Sequence, residues 1–124
     1  LELLEIVFTE STFPPDNASN RGKLERAIRF IHEHHRERIR LADLVDLLGV
    51  SESRLILLFR KNTGRTPVEF INQVKVARAK DLLLTTRMTV KETAFTLGFQ
   101  DEFYFSRVFK KFAGISPREY RSTI

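Results

Sequence analysis

An internal repeat constrains the fold of this chain more than any other feature. When residues 41–70 are laid over 91–120, an offset of 50 pairs Leu55 with Phe105, Phe59 with Phe109, Arg60 with Lys110 and Lys61 with Lys111. The same offset pairs Gly64 with Gly114, Thr66 with Ser116, Pro67 with Pro117 and Phe70 with Tyr120. Upstream the register slips by one, because Gly49 finds its counterpart at Gly98, as an extra residue in the second turn produces. A turn glycine, a helix core and an exit proline that travel together mark a repeated supersecondary unit.

Each copy reads as helix, tight turn, helix. In the first, Leu41, Leu44, Val45 and Leu48 recur at helical spacing, Gly49 permits a left-handed turn, and Ser51 caps a second helix to about Thr63. In the second, Val90, Ala94 and Leu97 precede Gly98, and a helix from about Asp101 to Phe112 follows. Two helices joined steeply by a short glycine-containing turn form a helix-turn-helix, whose second helix fits the DNA major groove. Helical hairpins also serve as pure packing units, so charge has to be weighed with the repeat.

The formal charge of +5 hides an asymmetry. Residues 1–20 hold four acids (Glu2, Glu5, Glu10 and Asp16) and no base, which leaves 21 Lys and Arg against 12 Asp and Glu, or +9, in residues 21–124. Such an excess suits a polyanion, because each neutralised phosphate releases condensed counterions. A soluble basic surface is the plain alternative. With no cysteine, neither a disulfide framework nor a thiolate metal site can form, which fits a reducing cytoplasm. No apolar run has the length to cross a membrane.

Between the repeats, Thr66 to Leu84 reads as one long helix, with Thr66 as cap, Pro67 at the first position and Glu69 at the third. Its apolar residues Phe70, Ile71, Val74, Ala77, Leu82 and Leu83 point in more than one direction, as in a shared spine. At its helical rise it spans roughly 27 Å, comparable to the ~34 Å between successive major-groove faces once the flanking units are added. Ahead of the repeats, a helix from about Gly22 to near Arg36 carries Leu24, Ala27, Ile28 and Ile31 on one face. Leu1 to Phe8 has near-helical apolar spacing, and Phe13 to Asn20 reads as a linker. Residues 1–21 are thus expected to be the end of an upstream region plus linker, in a fragment of a longer protein. Residues 22–124 form the functional domain, with helix-turn-helix units at about 41–63 and 89–112 and a linker helix at about 66–84.

With both units placed, the stretch TVKETAFTLGFQDEFYFSRVFKKFAGISPREYR, Thr89 to Arg121, resembles the signature of the AraC/XylS family of bacterial transcription regulators. The pattern is met at Gly98, Phe99, Asp101, Tyr104, Phe105, Ser106, Arg107, Phe109, Lys110, Lys111, Gly114, Ser116, Pro117, Tyr120 and Arg121. The resemblance runs back through LADLVDLLGVSESRLILLFRKNTGRTPVEF to about Lys23 and covers roughly four-fifths of the chain. It implies an all-α fold of about seven helices, with two helix-turn-helix subdomains joined by a long linker helix. It further implies a sequence-specific double-stranded DNA-binding regulator, an activator by the family's habit, placing two recognition helices in successive major grooves.

The resemblance places base contacts in the second unit at Glu102, Phe103, Tyr104, Ser106 and Arg107. Arg107 is the strongest, because its planar fork meets guanine O6 and N7 bidentately; the alternative is a phosphate or a neighbouring acid. Phe103 departs from the small polar residue common there. In the first unit the base-reading pair falls on Ile56 and Leu57, with Ser53 beside them, inside an apolar run from Leu55 to Phe59 that is expected to be buried on more sides than a groove reader allows. That run reads thymine methyls by shape, has lost direct readout, or packs against another domain or subunit. Candidate phosphate contacts are Ser51, Arg54, Arg60, Lys61, Lys75, Arg78, Lys91, Lys110 and Lys111, followed by Lys23 and Arg87. Lys75 stands where the family often has arginine and lacks that residue's fork.

The partners implied are double-stranded DNA and RNA polymerase, with any small-molecule effector acting through an upstream domain and with no membrane. The implied location is the bacterial cytoplasm, associated with the nucleoid. Two reading heads in one chain leave monomeric and dimeric binding both open. No cofactor, metal site or enzyme is expected: in His32, His34 and His35 only His32 and His35 lie three apart on one face, and Gly22 and Gly64 form no phosphate loop. The alternative function is an interaction module whose first helix-turn-helix binds protein while the second holds DNA.

Overall fold

The computed structural model describes residues 17–123. The helical spacing of Leu1 to Phe8 and the start of the linker, up to Asp16, lie outside the described residues. Seven helices and no strands are found among them: α1 Asn17–Glu33, α2 Leu41–Leu48, α3 Glu52–Thr63, α4 Pro67–Thr85, α5 Val90–Thr96, α6 Glu102–Ala113 and α7 Pro117–Arg121. The chain divides into two compact units. One holds residues up to Ile31 together with Arg40–Phe70, and the other His32–Ile39 together with the chain from Ile71 onward.

Each helix-turn-helix is punctuated as the repeat foretells. Ser51 caps α3 by accepting the Arg54 N–H, and Asp101 caps α6 by accepting the Phe103 N–H. Gly64 and Gly114 end these helices at φ 75° and 86° and return their N–H groups to the carbonyls of Arg60 and Lys110. The prolines that follow open α4 and α7 under reciprocal caps. Thr66 and Glu69 exchange bonds of 2.8 and 3.2 Å, and Ser116 and Glu119 exchange bonds of 3.0 and 3.1 Å.

In the first unit Leu24, Ala27, Ile28 and Ile31 of α1 are buried, as are Leu44 and Leu48 of α2 and Leu55 and Phe59 of α3. Phe59 meets Phe70 edge-on at 5.7 Å. The second unit's core joins Val76, Ala79 and Leu83 of α4 to Ala94, Leu97, Phe99, Phe105, Val108 and Phe109, with Tyr120 packed against it. Arg121 closes the end of α4, donating to the carbonyls of Leu83 at 3.0 Å and Thr86 at 3.4 Å.

Helix α1 departs from its expected bounds at both ends. It starts at Asn17, five residues ahead of Gly22. No proline interrupts Asn17 to Arg21, and one glycine inside a helix costs only about 1 kcal/mol. It stops at Glu33 rather than near Arg36 because the histidines turn the backbone: His35 bonds the His32 carbonyl at 2.8 Å and His34 pairs with Glu37 at 2.8 Å. In α4 Ala77 is exposed, and the spine's contribution to the second unit's core is Val76, Ala79 and Leu83, with Leu82 packed against it.

Candidate nucleic-acid interface

The two second helices match in exposure at their core positions and along their outward stripe. In α3, Leu55 and Phe59 are buried while Ser53, Arg54, Leu57, Arg60 and Lys61 face solvent. In α6, Phe105 and Phe109 are buried while Phe103, Tyr104, Arg107, Lys110 and Lys111 face solvent. The offset of 50 maps one exposed set onto the other. Residues three, four and seven apart share a helical face, so each helix displays a stripe: Ser53, Leu57 and Arg60 on one, Phe103, Arg107 and Lys110 on the other. Both stripes carry positive charge and no acid, one through Arg60 and the other through Arg107 and Lys110.

This pattern corrects the expectation that α3 is buried on more sides than a groove reader allows. Leu57 is 60% exposed, Ile56 and Leu58 are half-buried, and only Leu55 and Phe59 of the apolar run are fully withdrawn. The run misleads because five consecutive apolar residues cover every helical direction, whereas the first unit's core takes up one. Phe103, at 70%, is the most exposed large apolar side chain among the described residues.

In α6 the side chains form a connected set. The Asn72 side-chain amide of α4 donates to the Tyr104 hydroxyl at 3.2 Å. The Tyr104 ring tilts against buried Phe99 with centroids 6.0 Å apart, and the Arg107 guanidinium lies over that ring at 5.9 Å. Glu102 and Ser106 are half-buried beside this exposed group. Asn72 was not legible as a site residue, since its partner is 32 positions away and a helix-interior asparagine carries no motif.

Lys75 must be removed from the phosphate contacts. It is 4% exposed, and its ammonium donates to the carbonyls of His35 at 2.8 Å, of Glu37 at 2.6 Å and of Leu97, using all three N–H donors. Burial draws its pKa down to about 8, against the opposing charge of Glu37, and the Phe99 ring lies 5.7 Å from the ammonium. The lysine is a clamp that ties the 35–37 backbone to the turn after α5. Gly98 completes the clamp: at φ 82° it sits so close to the same loop that a Cβ would lie 2.4 Å from the Glu37 carbonyl.

The remaining basic candidates keep their exposure. Arg78, Arg87 and Lys91 face solvent, with Lys91 over the Phe95 ring at 5.9 Å, and Lys23 is half-buried. Ser51, though exposed, spends its hydroxyl oxygen on the α3 cap at 3.1 Å. Among the described residues no group of His, Cys, Asp and Glu could hold a metal ion, and no helix is long and apolar enough to cross a membrane.

Comparison with known proteins bears on this surface. A family model described as a helix-turn-helix domain matches residues 44–123. The chain is 36% identical over 115 residues to the arabinose operon regulatory protein of Escherichia coli, covering 91% of this chain and 38% of that protein. Among solved structures it is similar to the C-terminal domain of AraT, a response regulator from Geobacillus stearothermophilus. That match has a TM-score of 0.77 and 28% identity over 92% of this chain and 89% of that one. It is also similar to the DNA-binding domain of AdpA, a global transcriptional factor solved in complex with a target DNA, with a TM-score of 0.75 and 27% identity over 81% and 90% of the two chains. The chain spans less than half the length of the curated regulatory proteins it matches.

Proposed function

Because the chain belongs to the AraC/XylS-type helix-turn-helix family of DNA-binding transcription regulators, we propose that α3 and α6 enter successive major grooves of one duplex and that α6 supplies most of the sequence reading. The observation that carries this reading is the matched exposure of the two helices, with basic residues at the same repeat positions and a guanidinium, Arg107, in the middle of the second stripe. In α6, Phe103, Tyr104 and Arg107 face bases, flanked by Glu102 and Ser106; in α3, Ser53 and Leu57 do so with Ile56 behind them. Arg54, Arg60, Lys61, Arg78, Lys91, Lys110 and Lys111 neutralise phosphates.

The chain acts within a longer regulator, in line with the share of its relatives that it spans. Sensing of any effector belongs to the rest of that protein. The regulator works in the bacterial cytoplasm as an activator that contacts RNA polymerase, in keeping with similarity to a protein described as a transcriptional activator. Equilibrium binding of the purified chain to random-sequence duplexes across a salt series tests the phosphate role. Seven such contacts predict a logarithmic slope of about −6, at roughly 0.9 per phosphate, and a flat response refutes the assignment.

A second reading is favoured by Leu57 alone. An exposed leucine on α3 would serve an interaction module that binds protein through the first unit while the second holds DNA. Sedimentation over a concentration series separates the two: association that Leu57→Ser abolishes supports the interaction module, and a monomer throughout supports groove binding by both helices.

A further inference from the structure

Arg107 is a long, flexible side chain, and reading one base pair requires its fork to be held in one orientation before contact, since each rotamer fixed on binding subtracts from affinity. The platform under it is the Tyr104 ring at 5.9 Å. One edge of that ring leans on Phe99, which is 7% exposed and fixed in the core. The other end, the hydroxyl, is 3.2 Å from the Asn72 amide on α4. We propose that Asn72 is a positioning residue for sequence readout: it fixes the Tyr104 ring, and the ring fixes Arg107. This rests on the reading of Arg107 as a base contact.

The chemistry of the pair favours such a role. A tyrosine that is 41% exposed has no need of a protein partner for its hydroxyl, because water satisfies it. A bond from a neighbouring helix therefore serves orientation rather than burial. A guanidinium lying over the ring at 5.9 Å contacts it through its π face and keeps its N–H donors for guanine O6 and N7. Asn72 itself lies on α4 outside both exposed stripes, so it acts through Tyr104 and not on DNA.

The test is a double-mutant cycle read as discrimination: the ratio of affinity for the selected site to affinity for the same site with the Arg107 base pair changed. Asn72→Ala is expected to lower this ratio roughly three- to tenfold, the worth of one neutral hydrogen bond, with affinity for random DNA and the thermal midpoint nearly unchanged. Tyr104→Phe, which keeps the ring and loses the hydroxyl, should reproduce the loss, and the two together should lose no more than either. In an Arg107→Ala background Asn72→Ala should have no effect on the ratio. Equal loss on specific and random DNA, or a loss that persists without Arg107, overturns the positioning role. If Arg107→Ala leaves discrimination intact, the base-contact reading itself fails. If Arg107→Ala abolishes it and Asn72→Ala does not touch it, only the positioning role fails.

Discussion

The two helix-turn-helix units share a frame and differ in what surrounds their turns and what stands on their exposed stripes. Gly49 turns at φ 65° with open space where a Cβ would go, whereas Gly98 turns at φ 82° against the backbone of Glu37 and Arg38. The first stripe offers Ser53 and Leu57 where the second offers Phe103 and Arg107. Leucine faces the position of arginine across the repeat. A duplicated fold unit keeps its caps, turn and core residues because packing demands them, while the solvent-facing positions are free to diverge, and those are the ones that meet a ligand. The lesson is that equal architecture does not imply equal readout.

The turns supply the largest expected contrast. Gly98→Ala forces a left-handed backbone on alanine and also drives a methyl into the 37–38 backbone, which should cost about 3–4 kcal/mol in chemical denaturation; Gly49→Ala meets only the backbone penalty of about 1 kcal/mol. Equal losses would remove the difference between the turns. Lys75→Met comes next. It leaves the carbonyls of His35, Glu37 and Leu97 without their donor and should cost about 2–3 kcal/mol, with the salt dependence of DNA binding unchanged. A reduced salt slope would return Lys75 to the phosphate contacts.

The stripes are compared by exchange. Arg107→Ala should cost about 1–3 kcal/mol on the preferred base pair and little on random DNA. Leu57→Ala should cost less than about 1 kcal/mol, as an apolar contact to a thymine methyl would. Leu57→Arg, which gives the first stripe the residue of the second, should raise the selectivity of the first half-site for guanine. No gain from that exchange would mean that α3 lies differently in its groove.

The smallest effect is expected in acid, at two helix caps of the second unit. Thr89 and Ser116 donate their N–H groups to Glu92 and Glu119 at 2.8 and 3.0 Å, and these bonds hold both carboxyls below the ordinary 4.5. A carboxylate whose folded pKa is lowered stabilises the fold above the unfolded value and loses that contribution as pH falls through the folded one. The amide resonances of Thr89 and Ser116 should therefore shift below pH 4.5, and titration at or above that value would show the caps to be unformed.

The fold was legible because its punctuation is local. Ser51, Gly64, Pro67, Gly114 and Pro117 act through neighbours within four positions, so helix number and order follow from the chain read in one dimension. Lys75 and Asn72 were misread or missed for the opposite reason. The carbonyls that bury Lys75 come from residues 22 to 40 positions away, and Asn72 is defined by a hydroxyl 32 positions away. Leu57 was hidden by its neighbours, since an apolar run has no evident outward face until the core claims one side. The end of α1 comes early because the side chains of His34 and His35 compete for the last turn, a balance that periodicity does not register.

Selection of double-stranded DNA by the purified chain near physiological salt, repeated with Arg107→Ala, tests the unequal readout most directly. Unequal readout should give two enriched boxes about 10 base pairs apart, centre to centre, with the stronger preference in the box that Arg107→Ala erases and a weaker, thymine-containing box that survives. Two boxes of equal strength that both survive the substitution, or no enrichment from either chain, would contradict it.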